Sequence, residues 1–251
     1  MNSSKRPFGS TQVEKTILDF PFYKDNQLTV LKAVFLLLAS VCSMVRFIYL
    51  QKMGCNSSLV AFTNVVIPLA ALFSCVKWEW IQLFRKIGLR DIFTILITII
   101  FLRAASIIIG LIQVSLGMVK LSDKNPLVFV IETNTNGQNL LLLLQTIAEL
   151  TGEELITIIP FLSLLFIFFK SGKITRKKAI LLSWIITAVL FGAFHLSTYN
   201  WNIYQAVIGI GIIRLILTYA YIKTKNLWVS MIVHIANDWI IFLPIVISNW
   251  K

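Results

Sequence analysis

Long apolar runs separated by short polar segments dominate this sequence of 251 residues. Most runs approach or exceed the roughly 20 residues that a helix needs to cross a bilayer. We predict seven spans, near residues 29–50, 59–76, 91–111, 139–169, 178–195, 203–222 and 227–247. The short alternating strands of a membrane barrel would not give such runs. The pattern therefore predicts an all-α, polytopic transmembrane helix bundle.

The fourth run, residues 139–169, is longer than one span requires, and Gly152 and Glu153 interrupt its apolar character. It forms either one long tilted helix or two pieces that meet near Gly152. A re-entrant or broken helix in this run would raise the count to eight. The segment before it, residues 119–138, contains Pro126, Gly137 and several asparagines, and it predicts a polar loop.

Composition supports a membrane protein, because 57% of residues are hydrophobic, 14% are charged and the mean hydropathy is +0.82. A soluble domain carries roughly 25% charged residues. The net charge of +12 does not indicate nucleic acid, because Lys and Arg lie mostly in short segments between apolar runs. Their distribution favours a cytoplasmic N-terminus and attraction to the lipid bilayer. Richness in Ile, Lys and Asn indicates a bacterium, so we predict a multi-pass protein of the bacterial cell membrane.

Several ionisable residues interrupt the apolar runs of the C-terminal half. They are Glu149, Glu153, Glu154, His195, His234 and Asp238. A charged side chain at the bilayer centre costs at least about 2.5–3.5 kcal/mol on insertion scales. The chain has only 11 acidic residues and 2 histidines, so this concentration favours water-dependent chemistry inside the membrane.

The spacing of these residues places several of them in pairs on shared helix faces. Glu149 and Glu153 are four residues apart, as are His234 and Asp238, and Phe191 precedes His195 by four. Each pair alone also has a structural interpretation. A histidine can be a hydrogen-bonded packing residue or lie at a helix end, and acids can line the membrane surface.

Taken together, the three motifs resemble those of the CPBP family, which comprises CAAX proteases and bacteriocin-processing enzymes and is also called the Abi family. Its motifs are EExxxR, FxxxH and HxxxN or HxxxD. Here the first motif spans residues 153–158, the second runs from Phe191 to His195, and the third from His234 to Asp238. The resemblance covers residues 139–248, which would form a catalytic core behind a polar tail at 1–28 and N-terminal helices at 29–138. Ile158 stands where the family has Arg.

The resemblance implies an intramembrane endopeptidase of the type II CAAX prenyl endopeptidase kind. Glu153 with His195 would activate water, and Glu154 would be a supporting carboxylate. His234 with Asp238 would bind or stabilise the oxyanion, and Asp238 would either orient His234 or, if protonated, donate directly. We predict a glutamate mechanism without a cofactor. A zinc protease with Glu153, His195 and His234 as ligands is the alternative. Because His195 falls at the end of its span, the site requires a deep water-filled cavity or a helix that ends buried.

The predicted substrate is a peptide or membrane protein, such as a bacteriocin precursor, a leader or a signalling peptide. The loss of Arg at Ile158 favours an alternative, in which an inactive family member gives self-immunity to a bacteriocin or regulates a membrane partner. A transporter is a third interpretation, because intramembrane acids also mark ion paths. The lack of internal repeats argues against a transporter. The sequence makes no prediction of the oligomeric state.

Overall fold

The computed structural model describes residues 19–22, 28–55, 57–120, 125–172 and 174–250. Most of the tail predicted at residues 1–28 lies outside the described residues. The described residues form helices and connecting turns without strands. The main helices are α1 (Val30–Lys52), α2 (Ser57–Val76), α3 (Leu89–Ser115), α4 (Pro126–Thr133), α5 (Asn136–Phe166), α6 (Arg176–Phe194), α7 (Gly211–Thr224) and α8 (Leu227–Ser248).

Seven of the described helical segments are long and apolar enough to cross a membrane, which confirms the predicted helix bundle. Helix α4 has only 8 residues and is not among them. A 3₁₀ helix (Lys77–Leu83) extends α2, and π-helical segments extend α5 (Ile167–Ser171) and precede α7 (Tyr204–Ile210).

The prediction of a polar loop over residues 119–138 is wrong, because α4 and the start of α5 lie within it. Asn125 caps α4 by accepting a hydrogen bond from the backbone N–H of Leu127, and Pro126 occupies the first turn. Thr135 and Gln138 form a capping box that starts α5. The same polar residues that suggested a loop therefore terminate and start helices.

Helix α5 continues through Gly152 without a break, which favours the single long helix over the two-piece alternative. A Cβ added at Gly152 would lie 2.5 Å from Nδ2 of Asn64 on α2. The glycine therefore allows close contact between α2 and α5, as small residues commonly do between membrane helices.

Helix α5 is the central element of the bundle, and most of its residues between Gly152 and Phe166 are buried. It packs against α1, α2, α6 and α8. Leu155, Ile158 and Phe161 are completely buried in the core cluster. By contrast, much of α3 is exposed through large apolar side chains such as Phe93, Ile100 and Phe101, as expected for a face in contact with lipid.

The helices of the C-terminal half pack around a common cavity. Helix α6 ends at Phe194, and a series of turns at residues 195–201 connects it to the π-helical segment. Helix α7 packs against α3, α6 and α8. This arrangement surrounds a cavity with residues from α5, α6, α7 and α8 and from the turns after α6.

Candidate active site

A cavity of about 520 Å³ contains the polar residues of the C-terminal half. Glu149, Glu153, His195, His234 and Asp238 all line it. Part of its remaining wall is apolar, with side chains that include Met44, Phe47, Phe194, Ile241 and Phe242. Polar groups that converge in a partly apolar cavity are typical of a binding or catalytic site.

The adjacent acids Glu153 and Glu154 face different surroundings, because successive residues of a helix point in different directions. Glu153 lines the cavity, and its Oε2 lies 3.8 Å from Nε2 of His234. The side chain of Glu154 is completely buried and does not line the cavity. Only Glu153 of this pair can therefore meet a water molecule or a substrate in the cavity.

Glu154 joins two other helices through one oxygen atom. Its Oε1 lies 2.6 Å from Nη1 of Arg214 on α7 and 2.9 Å from Nδ1 of His234 on α8. Because the carboxylate next to Arg214 accepts hydrogen bonds, Nδ1 of His234 carries the donated proton. The Nε2 atom of His234 is therefore left to face Glu153 in the cavity.

His195 follows the last residue of α6, and its Nδ1 lies 2.8 Å from the backbone oxygen of Phe191. A carbonyl oxygen can only accept, so Nδ1 must be the donor. The Nε2 atom of the neutral ring then has a free lone pair. His195 is half-buried and lines the cavity, so the end of α6 lies at the cavity wall.

Asp238 lines the cavity next to a different hydrogen-bonded pair. The Nδ2 atom of Asn237 donates to Oδ1 of Asp238 at 2.9 Å, and Nη1 of Arg103 on α3 donates to Oδ1 of Asn237 at 3.3 Å. One expectation was that Asp238 orients His234. In the structure, the Nδ1 atom of His234 is hydrogen-bonded to Glu154 and not to Asp238. Asp238 is held by its neighbour Asn237 instead.

Tyr199 lies in the turns after α6 and also lines the cavity. Burial, with the nearby carboxylates of Asp238 and Glu153, raises the pKa of Tyr199 to about 12. The neutral phenol is a hydrogen-bond donor. Tyr199 therefore adds a donor beside the acids of the cavity over the whole physiological pH range.

The structure brings the sequence-predicted residues Glu153, Glu154, His195, His234 and Asp238 to one region, and Glu149 lines the same cavity. The sequence interpretation missed Arg214, Arg103 and Tyr199. A signal for the two arginines was present, because an arginine in the middle of an apolar run is itself a marker of function. Tyr199 carries no such signal in its local sequence.

A resident metal ion would need several ligands at bonding distance. Among the described ranges, no group of three or more His, Cys, Asp or Glu side chains is arranged to hold one. The donors Glu153, His195 and His234 of the zinc alternative share the cavity. These three side chains would hold the ion of the zinc alternative, and no step of the mechanism is derived through a metal.

Comparison with known families matches residues 135–240 to the family model described as "Type II CAAX prenyl endopeptidase Rce1-like". The matched range contains all six matching residues of the three motifs, and Arg214 as well. No curated protein matched the chain. No solved structure matched it either.

Proposed function

Because residues 135–240 form a domain of the Rce1-like type II CAAX prenyl endopeptidase family, we propose that this multi-pass membrane protein is an intramembrane endopeptidase. The observation that carries the proposal is that Glu153 and His195 face one cavity while Glu154 is withdrawn from it. A carboxylate and a ring nitrogen with a free lone pair are the two bases that can activate water there.

In the proposed reaction, a water molecule between Glu153 and His195 gives up a proton as its oxygen attacks the peptide carbonyl carbon. The carbonyl oxygen becomes a tetrahedral oxyanion, and collapse of this intermediate breaks the C–N bond as the proton passes to the leaving amine. Hydrogen-bond donors aimed at the oxyanion lower the barrier. His234, when both of its nitrogens are protonated, donates from Nδ1 to Glu154 and from Nε2 into the cavity.

The volume and lining of the cavity support a peptide as substrate. Its 520 Å³ lie within the range of roughly 300–1,000 Å³ that is usual for ligand pockets. Apolar residues such as Phe47, Phe194 and Phe242 suit apolar side chains, and Gln113 and Gln205 can hydrogen-bond an extended backbone. We propose a leader peptide, a signalling peptide or a bacteriocin precursor as the substrate class, in a bacterial cell membrane with the N-terminus in the cytoplasm.

The proposal predicts that Glu153→Gln and His195→Ala each strongly slow peptide hydrolysis. General acid–base catalysis typically contributes 10²- to 10⁴-fold, so kcat should fall by about that factor in each variant. The measurement is cleavage of a fluorogenic peptide library by protein reconstituted in vesicles, with the amount of inserted protein determined in parallel. Glu79→Gln is the matched control, because Glu79 is exposed on the 3₁₀ helix that follows α2 and does not line the cavity.

The control should retain most of the wild-type kcat. Unchanged cleavage in both Glu153→Gln and His195→Ala, at normal insertion levels, would contradict the enzymatic proposal. Retention of bacteriocin immunity by both variants would instead support the inactive, immunity-type alternative, which Ile158 favours. A chelator should leave kcat unchanged. Stoichiometric zinc in the purified protein, with activity lost on its removal, would replace the glutamate mechanism by the zinc alternative.

A further inference from the structure

Arg214 is a large, fully buried side chain among the described residues, and it carries a charge within the candidate span Tyr204–Thr224. It lies on α7, where its relative exposure is 1%. Its guanidinium carbon lies 4.7 Å from the centre of the Phe191 ring, and its Nε donates to Oγ1 of Thr218 at 3.2 Å. Such a residue is costly in a membrane unless it has a partner, and that partner is Glu154 at 2.6 Å.

Glu154 connects Arg214 to His234, because one oxygen atom, Oε1, contacts both residues. Removing the guanidinium would leave a buried carboxylate without its counter-charge, which is strongly unfavourable. The carboxyl group would then take up a proton or move. In either case the acceptor for Nδ1 of His234 would change, although Arg214 itself does not touch His234 through a hydrogen bond.

The position of Arg214 can be compared with position 158, where this chain has Ile in place of the Arg of the family motif. Residues 154 and 158 are four apart on α5, so an arginine at 158 would share a helix face with Glu154. In this chain Ile158 is completely buried in the apolar core instead. The cation that meets Glu154 comes from α7, 60 residues further along the chain.

We infer that Arg214 is a positioning residue that takes the place of the arginine missing at 158, and that it acts on His234 through Glu154. The catalytic part of this inference rests on the proposed function. The structural part does not, because the hydrogen bond between His234 and Glu154 can be observed without any substrate.

The chain contains only two histidines, so protein labelled with ¹⁵N-histidine gives signals from His195 and His234 alone. In Arg214→Met, the Nδ1 and Nε2 signals of His234 should shift, and those of His195 should stay in place. Arg90→Met is the matched control, because Arg90 is exposed at the start of α3 and should leave both histidines unchanged. Unchanged His234 signals in a folded Arg214→Met protein would overturn the inference.

Relocation of the charge provides the second test. Ile158→Arg in the Arg214→Met background should return the His234 signals towards their wild-type positions. In the cleavage assay, Arg214→Met should lower kcat about 10- to 100-fold, as loss of an outer partner commonly does, with little change in KM. The relocated arginine should recover part of that loss. A folded double variant with no recovery in either measurement would show that Arg214 has a merely structural role.

Arg214→Met could fail to fold because it leaves the Glu154 charge buried. The double variant Glu154→Gln/Arg214→Met removes both charges, so its unfolding temperature should lie above that of Arg214→Met alone. If the double variant is no more stable than the single one, Glu154 is not the partner and the inference fails. If wild-type protein cleaves no peptide, the proposed function fails, while the histidine spectra and these unfolding temperatures still decide the role of Arg214.

Discussion

The aromatic ring of Phe191, four positions before His195, contacts several residues of this site. Its ring centre lies 4.6 Å from that of His195 and 6.5 Å from that of His234. The Arg214 guanidinium stacks over the same ring. The ring of Phe191 therefore lies next to both histidines and the arginine, and the backbone oxygen of Phe191 accepts the hydrogen bond from His195.

Tyr199 gives the site a pH-dependent contribution to stability. A tyrosine in the unfolded chain ionises near pH 10, whereas the pKa of Tyr199 in the folded protein is raised to about 12. Between these values the folded state binds more protons than the unfolded state. This contribution to stability is therefore full below pH 10 and is lost as the pH rises towards 12.

We predict that Tyr199→Phe makes the protein less sensitive to alkali. The difference in thermal unfolding temperature, variant minus wild type, should increase as the pH is raised from 9 to 11. Tyr49→Phe is the control, because Tyr49 is 60% exposed on α1. The same pH dependence in wild type and Tyr199→Phe would contradict the burial of this phenol beside Asp238 and Glu153.

The motif residues could be predicted because their spacing is a property of single helices. His234 and Asp238, or Phe191 and His195, are close in sequence and share a face. The contact between Glu154 and Arg214 joins α5 to α7, and no local pattern specifies which of two distant helix faces will meet. For the same reason, the sequence assigned the orientation of His234 to nearby Asp238, whereas the structure assigns it to distant Glu154.

At the level of elements, α6 packs closely against the π-helical segment Tyr204–Ile210 beside the second motif. A Cβ added at Gly192 would lie 2.8 Å from the backbone oxygen of Ala206 and 2.9 Å from Cα of Val207. Both are backbone atoms, which cannot rotate away. Any side chain at 192 therefore has to separate the two elements.

We predict that Gly192→Ala destabilises the protein by about 1–3 kcal/mol, as overpacking typically does, and lowers peptide cleavage because His195 lies three residues away. Gly110→Ala is the matched control on α3, where an added Cβ meets no atom within 4 Å. It should be neutral or stabilising by up to about 1 kcal/mol. Equal unfolding free energies for the two variants would contradict the tight contact.

Helix positions were predictable where an apolar run is long, and this held for all seven spans. Two details were not predictable from local pattern. Gly152 looked like a break in α5, but it is a contact point for Asn64 on α2, which only the packed bundle shows. Residues 119–138 looked like a loop because the polar residues that cap helices are the same types that occur in loops.

At the level of the whole molecule, seven helical segments of the described residues are long and apolar enough to cross a membrane. With the N-terminus inside, the connection between α1 and α2 lies outside, and the connection before α6 lies inside. Cys55 is an exposed cysteine in the first of these connections. Lys177 is exposed at the start of α6.

We predict that a protein whose single cysteine is Cys55 reacts with a membrane-impermeant maleimide in intact cells. A Lys177→Cys variant without the three native cysteines should react only after the cells are permeabilised. Short loops rich in Lys and Arg are generally retained in the cytoplasm, which is the physical reason for proposing this orientation. The reverse labelling pattern would show that the N-terminus lies outside.

The ion pair between Glu154 and Arg214 also bears on how the chain is made. Synthesis proceeds from the N-terminus, so α5 enters the membrane before α7 leaves the ribosome. Arg214 entering the bilayer alone costs about 2.5–3.5 kcal/mol on insertion scales. The acid already present on α5, 60 residues earlier, offers the partner that offsets this cost. We therefore expect α7 to insert more readily when α5 is already in the membrane.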